Sequence, residues 1–334
     1  MPALPLSREK KIALRAAGSA AMVCMKVLST IDSQSTIFKT DRTPVTVADY
    51  GSQAVACRIL KEAFASDPIV AEENSEALGR EENALLLSRV RDAARIVFPD
   101  AAADAVRRWI DMGTKEIAPR YWCLDPIDGT KGFLRKDQYA IALALVIDGT
   151  VRLGVLVCPN LPEDLTRPEG ARGVVFLATQ GGGAFQTPLG GSHMRPIRVV
   201  SQYRNRTIRF CESFESAHSD HELQEQIGKQ LGITEPAIQM DSQAKYGIVA
   251  RGDSAIYLRL PSPKTPDYRE KVWDHAAGAI LVEEAGGKVT DALGRPLDFG
   301  VEYRLMKNEG VIATNGALHD KVISALRDRR EAMS

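Results

Sequence analysis

The chain has 334 residues with 43 Lys+Arg against 43 Asp+Glu, a formal net charge of zero, and is 44% apolar and 26% charged. At roughly 100–200 residues per domain this length suits two domains or one large one, and the composition excludes collagen-like, coiled-coil and disordered classes. Zero net charge excludes a protein that holds nucleic acid by bulk electrostatics, and no apolar run reaches the roughly 18–20 residues that a membrane helix needs.

Near the start, Ile12, Ala16, Ala20, Val23 and Val27 share one helical face, while Glu9 breaks the acid-poor pattern of transit peptides. The segment reads as the first helix of the fold, and the expected location is cytoplasmic. Thr46-Val47-Ala48-Asp49 leads into a second helix, opened by Asp49 as an acid at the N-terminus, with Val55, Ile59, Leu60 and Ala63 facing inward. Pro68 to Ala71 is a short strand ending on Glu72-Glu73, residues 74–120 are helical and peripheral, and Trp122-Cys123-Leu124 is another short strand ending on a carboxylate. Tyr139–Ile147 and Val151–Cys158 are apolar runs separated by Asp148-Gly149, the signature of an antiparallel hairpin with a type I′ turn. Unbroken apolar strands predict burial on both faces, hence helices on both sides. Gly173–Phe185 forms a further hairpin around Gly181-Gly182-Gly183, where no strand-to-helix junction supports a nucleotide cradle.

The polar stretch from Gly190 to Arg206 is the expected junction between residues 1–200 and 201–334. Beyond it, Ser219-Asp220-His221-Glu222 has the form of a capping box before Leu223, Ile227 and Leu231. One helix opens at Asp274 and stops at Gly286-Gly287, and a last one carries Leu318, Val322, Ile323 and Leu326. The pattern predicts mixed α/β layers in two domains. Cys24, Cys57, Cys123, Cys158 and Cys211 are scattered without a C-x-x-C pair, which suits reduced thiols rather than a zinc knuckle or a disulfide framework. His193, His221 and His319 are expected to be solvated, and His275 to pack behind its neighbour Asp274.

Carboxylates gather at the ends of strands and the starts of helices. In Asp125-Pro126-Ile127-Asp128-Gly129-Thr130 two acids flank a proline-stiffened turn and would repel unless a cation lies between them. Oxygen-only ligands favour Mg²⁺ over zinc. Gly129 and Thr130 would offer backbone N–H groups to an anion if a helical turn begins there. Carboxylates beside an anion cradle suit metal-assisted phosphoryl hydrolysis, with Asp49 and the Thr130 hydroxyl as the pair that deprotonates water.

These segments resemble the Mg²⁺-dependent, lithium-sensitive phosphatases of the inositol monophosphatase superfamily, on three motifs in order: Glu72-Glu73, the D-P-x-D-G-T turn at 125–130, and Trp273-Asp274. Pro44–Tyr50, Trp122–Leu134, Val157–Pro162, Asp241–Pro261 and Glu270–Gly278 further resemble its 3′(2′),5′-bisphosphate nucleotidase branch. The resemblance implies a layered αβαβα fold of mixed and antiparallel sheets covered by helices. It implies two or three Mg²⁺ ions held by Glu72, Asp125, Asp128, Asp274 and the Ile127 carbonyl, with Asp49 and Thr130 activating water. The implied substrate is adenosine 3′,5′-bisphosphate, converted to AMP and phosphate. Some relatives also accept its sulfated form or inositol 1,4-bisphosphate.

A bisphosphate needs a second anion subsite. Ser242 and Lys245 are spaced for one side of a helical turn, and Tyr257 and Arg259 share one face of a strand. Lys245 and Arg259 are therefore expected at one phosphate, with Arg259 able to bind through a fork of donors. The resemblance adds His218 and Ser219 near the ribose or phosphate. An inositol phosphatase would have less use for Lys245 and Arg259. A silent nucleotide sensor would have lost a ligand or base, and an RNA-binding role lacks an aromatic-basic module.

Overall fold

The run Ala140–Ile147 decides the centre of the fold, because its alternate residues serve two different cores. In chain order the computed structural model, which describes residues 6–30, 35–39, 44–201, 208–214, 221–261 and 268–333, begins with helix α1 (Ser7–Leu28). Strands β1 (Thr36–Phe38) and β2 (Pro44–Thr46), helix α2 (Val47–Ala63) and strand β3 (Ile69–Ala71) follow. Helices α3 (Ala84–Ala94) and α4 (Ala103–Ile110) precede strands β4 (Gly113–Thr114) and β5 (Arg120–Asp128) and the short helix α5 (Thr130–Leu134). Strands β6 (Ala140–Ile147), β7 (Thr150–Pro162), β8 (Arg172–Thr179), β9 (Gly183–Pro188) and β10 (Arg195–Pro196) complete the first half. Then come β11 (Phe210–Glu212), α6 (His221–Leu231), β12 (Ile238–Gln239), α7 (Ala244–Ala250) and β13 (Ile256–Arg259). A 3₁₀ turn at Val272–Asp274 leads into α8 (Ala276–Glu284), followed by β14 (Lys288–Thr290), β15 (Val311–Thr314) and α9 (His319–Met333).

Among the described residues an eight-stranded sheet runs in the order β10-β9-β8-β7-β6-β5-β3-β4, and a five-stranded sheet in the order β12-β11-β13-β15-β14. In β6, Ile141, Leu143 and Leu145 join a core with the alanine-rich faces of α1 and α2, while Ala140, Ala142 and Ala144 join a second core with Tyr246 and Ile280. Alternation along a strand explains the unbroken apolar run: both faces are covered. In β13 the same logic sends Tyr257 to that second core and Ile256 and Leu258 to a third, which α6 and α9 close. The layers are therefore α1/α2, the large sheet, α7/α8, the small sheet, and α6/α9, which is the expected αβαβα order. The Asp148-Gly149 turn has φ of 50° and 69°, as a type I′ turn requires.

Three local expectations change. Helix α2 starts at Val47 rather than Asp49. Thr46 is its N-cap and accepts from the Ala48 and Asp49 amides, while Asp49 accepts from the Thr46 amide at 2.7 Å. The strand expected at 122–124 is the nine-residue β5, because β6 and β3 pair with it on both sides. His319 is 1% exposed rather than solvated, and contacts Thr290 Oγ1 at 2.9 Å and Thr314 Oγ1 at 3.1 Å. Burial lowers its pKa to about 4, so it is a neutral structural group. The capping serine expected for α6, Ser219, lies outside the described residues.

The middle helical layer depends on small residues. A Cβ at Gly154 would come within 2.8 Å of the Ala277 carbonyl, and one at Gly278 within 2.2 Å of the Tyr246 ring. Tyr246 is fully buried and its hydroxyl is 2.7 Å from His275 Nδ1, so the ring has no room to yield. Gly278→Ala is expected to cost about 1–3 kcal/mol through overpacking, read as a thermal midpoint several degrees lower. An unchanged midpoint would show that the α7/α8 contact is looser than described.

Candidate active site

Parallel pairing and one bulge bring the acidic residues together. Strands β3 and β5 run parallel with Ala71 opposite Leu124, so Glu72 and Asp125 emerge side by side at the same sheet end. Residues an odd number apart in a regular strand point to opposite faces. Between Asp125 and Asp128 the pairing with β6 shifts: Asp125 faces Ala142 and Asp128 faces Ala140, so three steps on β5 match two on β6. The extra residue rephases the strand and lets both carboxylates enter one cavity. Pro126 sits inside this bulge, where a missing N–H breaks no regular ladder. The Ile127 amide donates to Asp125 Oδ1 at 3.1 Å, which braces the turn.

The cavity, about 200 Å³, is lined by Glu72, Asp125, Ile127, Asp128, Gly129, Thr130, Ser242, Lys245, Arg259 and Asp274. Every described residue expected at the site from the sequence is in this group except Asp49; His218 and Ser219 lie outside the described residues. Asp125, Asp128 and Asp274 each place a carboxylate oxygen within 4.8 Å of the others. Burial raises the Asp125 pKa well above the carboxylate range, helped by the charges of Glu72, Asp128 and Asp274. Burial and Asp274 raise Asp128 to about 6, against the pull of Lys245 and Arg259. An all-oxygen donor set that repels itself in this way fits hard divalent cations.

A second trio, Glu270, Asp274 and His275, also has its ligand atoms within 4.8 Å of one another. Its donors are already engaged: His275 Nδ1 meets the Tyr246 hydroxyl at 2.7 Å, His275 Nε2 meets Glu270 at 3.0 Å, and Arg259 Nε pairs with the same Glu270 oxygen at 2.8 Å. It is a hydrogen-bonded network. The expectation that His275 packs behind Asp274 agrees with this placement.

Asp49 is 1% exposed and does not line the cavity, whereas Thr130 does. The Thr130 hydroxyl is 3.3 Å from Asp49 Oδ1 and 3.3 Å from the Ile127 carbonyl, and Thr46 donates through its hydroxyl to Asp49 Oδ2 at 2.6 Å. Burial raises the Asp49 pKa to about 6, opposed by the Thr46 hydrogen bonds and reinforced by Glu72. Thr130 opens the one-turn helix α5, and Gly129 before it has φ 85°. A Cβ at Gly129 would also fall 2.9 Å from Ser242 Cβ, so glycine serves both the conformation and the close approach.

The same cavity also holds cationic side chains. Ser242 precedes α7 in a left-handed conformation, φ 65°, instead of sharing a helical turn with Lys245. Lys245 is 2% exposed, donates to the Met240 carbonyl at 3.1 Å and lies 5.2 Å from the Tyr257 ring centroid. Burial lowers its pKa to about 8, opposed by Asp128. Sequence reasoning missed Lys39, which bridges Glu72 at 2.9 Å and Glu73 at 2.5 Å. It also missed Lys115, which donates to the Ala71 carbonyl and, at 2.9 Å, to the Glu72 carbonyl, and lies 4.1 Å from the Trp273 ring centroid. Both are remote in sequence from their partners, so no local pattern marks them. Lys271 also lines the cavity, and the motif run around Trp273 was the signal for it.

A family model described as the inositol monophosphatase family matches residues 6–331. The chain is 42% identical over 336 residues to a 3′(2′),5′-bisphosphate nucleotidase of Schizosaccharomyces pombe, covering 95% of this chain and 94% of that one. It is 44% identical over 342 residues to the 3′(2′),5′-bisphosphate nucleotidase of Oryza sativa, covering 97% and 95%. Among solved structures the Thermotoga maritima IMPase superposes with TM-score 0.65 at 21% identity, over 98% of this chain and 100% of that one. CysQ from Bacteroides thetaiotaomicron gives 0.62 at 19%, over 92% and 97%. These structures share the fold. No helix among the described residues is long and apolar enough to cross a membrane.

The raised carboxylates carry a stability signature. Asp49 and Asp128 hold protons more tightly folded, at about 6, than an ordinary carboxylate does unfolded, at about 4. The folded chain binds more protons in that window, so without metal its stability falls as pH rises from about 4 through about 6. Thermal denaturation in chelator should show that fall, and saturating divalent cation should reverse it. Asp125→Asn should raise the chelated midpoint at neutral pH and abolish the cation-dependent gain. A full gain in that variant would exclude Asp125 from the ion site.

Proposed function

The chain belongs to the inositol monophosphatase family, and from that premise we propose that it is a Mg²⁺-dependent phosphatase that hydrolyses the 3′-phosphate of adenosine 3′,5′-bisphosphate to AMP and phosphate. The observation that carries this reading is one cavity lined both by self-repelling carboxylates and by two cations, the buried Lys245 and the half-buried Arg259. A substrate with two phosphates can meet the carboxylate-bound ions with one and Lys245 and Arg259 with the other. An inositol monophosphate would offer Lys245 and the free donors of Arg259 no second phosphate, although Arg259 already has Glu270 as its counter-charge. The similarity to bisphosphate nucleotidases over nearly the whole chain supports the same substrate class.

Glu72, Asp125, Asp128, Asp274 and the Ile127 carbonyl would hold the ions, two or three in number. Bound Mg²⁺ supplies charge neutralisation at the phosphoryl oxygens and acidifies the attacking water. The remaining work falls to the chain itself. The Thr130 hydroxyl lines the cavity and reaches Asp49, so it takes the proton that the attacking water loses while passing its own to Asp49, leaving hydroxide as the nucleophile and Thr130 neutral. One Asp49 oxygen is fixed by the Thr46 amide and hydroxyl, leaving the other directed at Thr130. With its pKa at about 6, Asp49 accepts a proton more readily than an ordinary carboxylate and still releases it near neutrality. Backbone N–H groups at Gly129 and Thr130 would steady the phosphate undergoing attack. Lys245 and Arg259 would grip the 5′-phosphate, with Ser242 beside them.

Asp49→Asn should lower turnover by about 10²- to 10⁴-fold, as loss of a positioned base does, while the cation-dependent thermal gain persists. Near-normal turnover would remove Asp49 from this role. The substrate class is tested by phosphate release from adenosine 3′,5′-bisphosphate, 5′-AMP and inositol 1-phosphate, each with Mg²⁺ and with chelator. Fast, chelator-sensitive release from the bisphosphate alone is expected. Preference for inositol 1-phosphate would overturn the assignment of Lys245 and Arg259.

A further inference from the structure

Arg259 can select a second phosphate only if its guanidinium is held in place, and the structure shows what holds it. Glu270 does not line the cavity, yet its Oε2 takes Arg259 Nε at 2.8 Å and His275 Nε2 at 3.0 Å. His275 in turn meets the Tyr246 hydroxyl at 2.7 Å, and the Tyr246 ring packs edge-on against Tyr257, 5.1 Å between centroids. Tyr257 and Arg259 lie on β13, Tyr246 on α7, and His275 directly follows Asp274. All five side chains are largely buried: Glu270 is 8% exposed, His275 and Tyr246 1%, Tyr257 4%, and the Arg259 side chain 17%.

The anchoring carboxylate has to be charged. Burial alone would favour its protonated form, but Arg259 and then His275 outweigh burial and hold it well below the usual carboxylate range. A guanidinium has five N–H donors, so pairing through Nε does not exhaust it. A buried long side chain with a fixed partner loses little further rotamer freedom on binding an anion, whereas an unanchored one must be ordered by the ligand itself.

We propose that Glu270 is a positioning residue for recognition of the phosphate distant from the reaction: it pins Arg259 in its binding orientation and, through His275, ties that arginine to the turn carrying Asp274. This inference rests on the proposed bisphosphate substrate. Glu270 touches neither substrate nor reacting atoms, and acts only through Arg259.

The test compares Glu270→Gln with wild type on adenosine 3′,5′-bisphosphate and on 3′-AMP, which lacks the second phosphate, at saturating Mg²⁺. Glu270→Gln should raise KM for the bisphosphate by about tenfold with kcat within about twofold, and should move KM for 3′-AMP by less than about twofold. In an Arg259→Ala background the same substitution should add nothing to KM, since the route through Arg259 is already gone. Glu270→Asp keeps the charge on a shorter arm. It should fold and give an intermediate KM, which supplies the measurement if the glutamine variant does not fold. Equal rises on both substrates, a fall in kcat alone, or additivity with Arg259→Ala would overturn the role. Wild-type enzyme that treats bisphosphate and 3′-AMP alike would instead refute the bisphosphate reading, and this inference with it.

Discussion

The constraint on which the rest depends is the burial of several carboxylates that repel one another. Asp125 and Asp49 are each 1% exposed, Asp274 raises the proton affinity of Asp128, and both raise that of Asp125. Charges in that situation are tolerated only when paired or bound to cations. The chain cannot relax the repulsion by letting the acids drift apart, because each is fixed by a different device. Glu72 is set by the parallel register of β3, Asp125 and Asp128 by the bulge in β5, and Asp274 by the turn before α8. Repulsion held in place by secondary structure in this way is what the proposed cation site would relieve.

The charged residues of the cavity come from different layers of the fold. The eight-stranded sheet supplies Glu72, Asp125 and Asp128, while Arg259 comes from the five-stranded sheet and Lys245 and Asp274 from the helical layer between them. The relative placement of these residues is thus set by how α7 and α8 nest between the sheets. That nesting rests on alanines in β6, on Gly154 and on Gly278, positions with no chemical role of their own. Core packing and the placement of the cavity's charged residues are two consequences of one set of small residues.

Much of this was legible in the sequence because the signals were local. The D-P-x-D-G-T turn, the glutamate pair and the Trp273-Asp274 helix start each lie in a short window, and the apolar run of β6 carries its own evidence of burial on both faces. The αβαβα layering followed from the resemblance rather than from periodicity. What escaped was non-local. His319 reads as polar and surface-facing until two threonines from β14 and β15 are seen to enclose it. The start of α2 was misplaced because Asp49 looks like a cap, when Thr46 holds that position and Asp49 completes the box. The left-handed Ser242 was hidden too, since nothing in Asp241-Ser242-Gln243 marks a positive φ at a serine.

The basic residues make the sharpest contrast. Lys245 and Arg259 were picked out from spacing and strand alternation, in runs that also resemble the nucleotidase branch, but their surroundings were not foreseeable. Lys245 is buried against its own chain at Met240 and lies near the Tyr257 ring, while Arg259 is held by Glu270. The two cations are therefore supported differently. Burial lowers the lysine pKa to about 8, so Lys245 gains charge stability when an anion arrives. The arginine is permanently charged and compensated in advance by a carboxylate. The cavity thus combines a cation whose charge is fixed by the fold with another that binding itself would reinforce. On the proposed reading, the affinity for the second phosphate would not rest on two uncompensated buried charges.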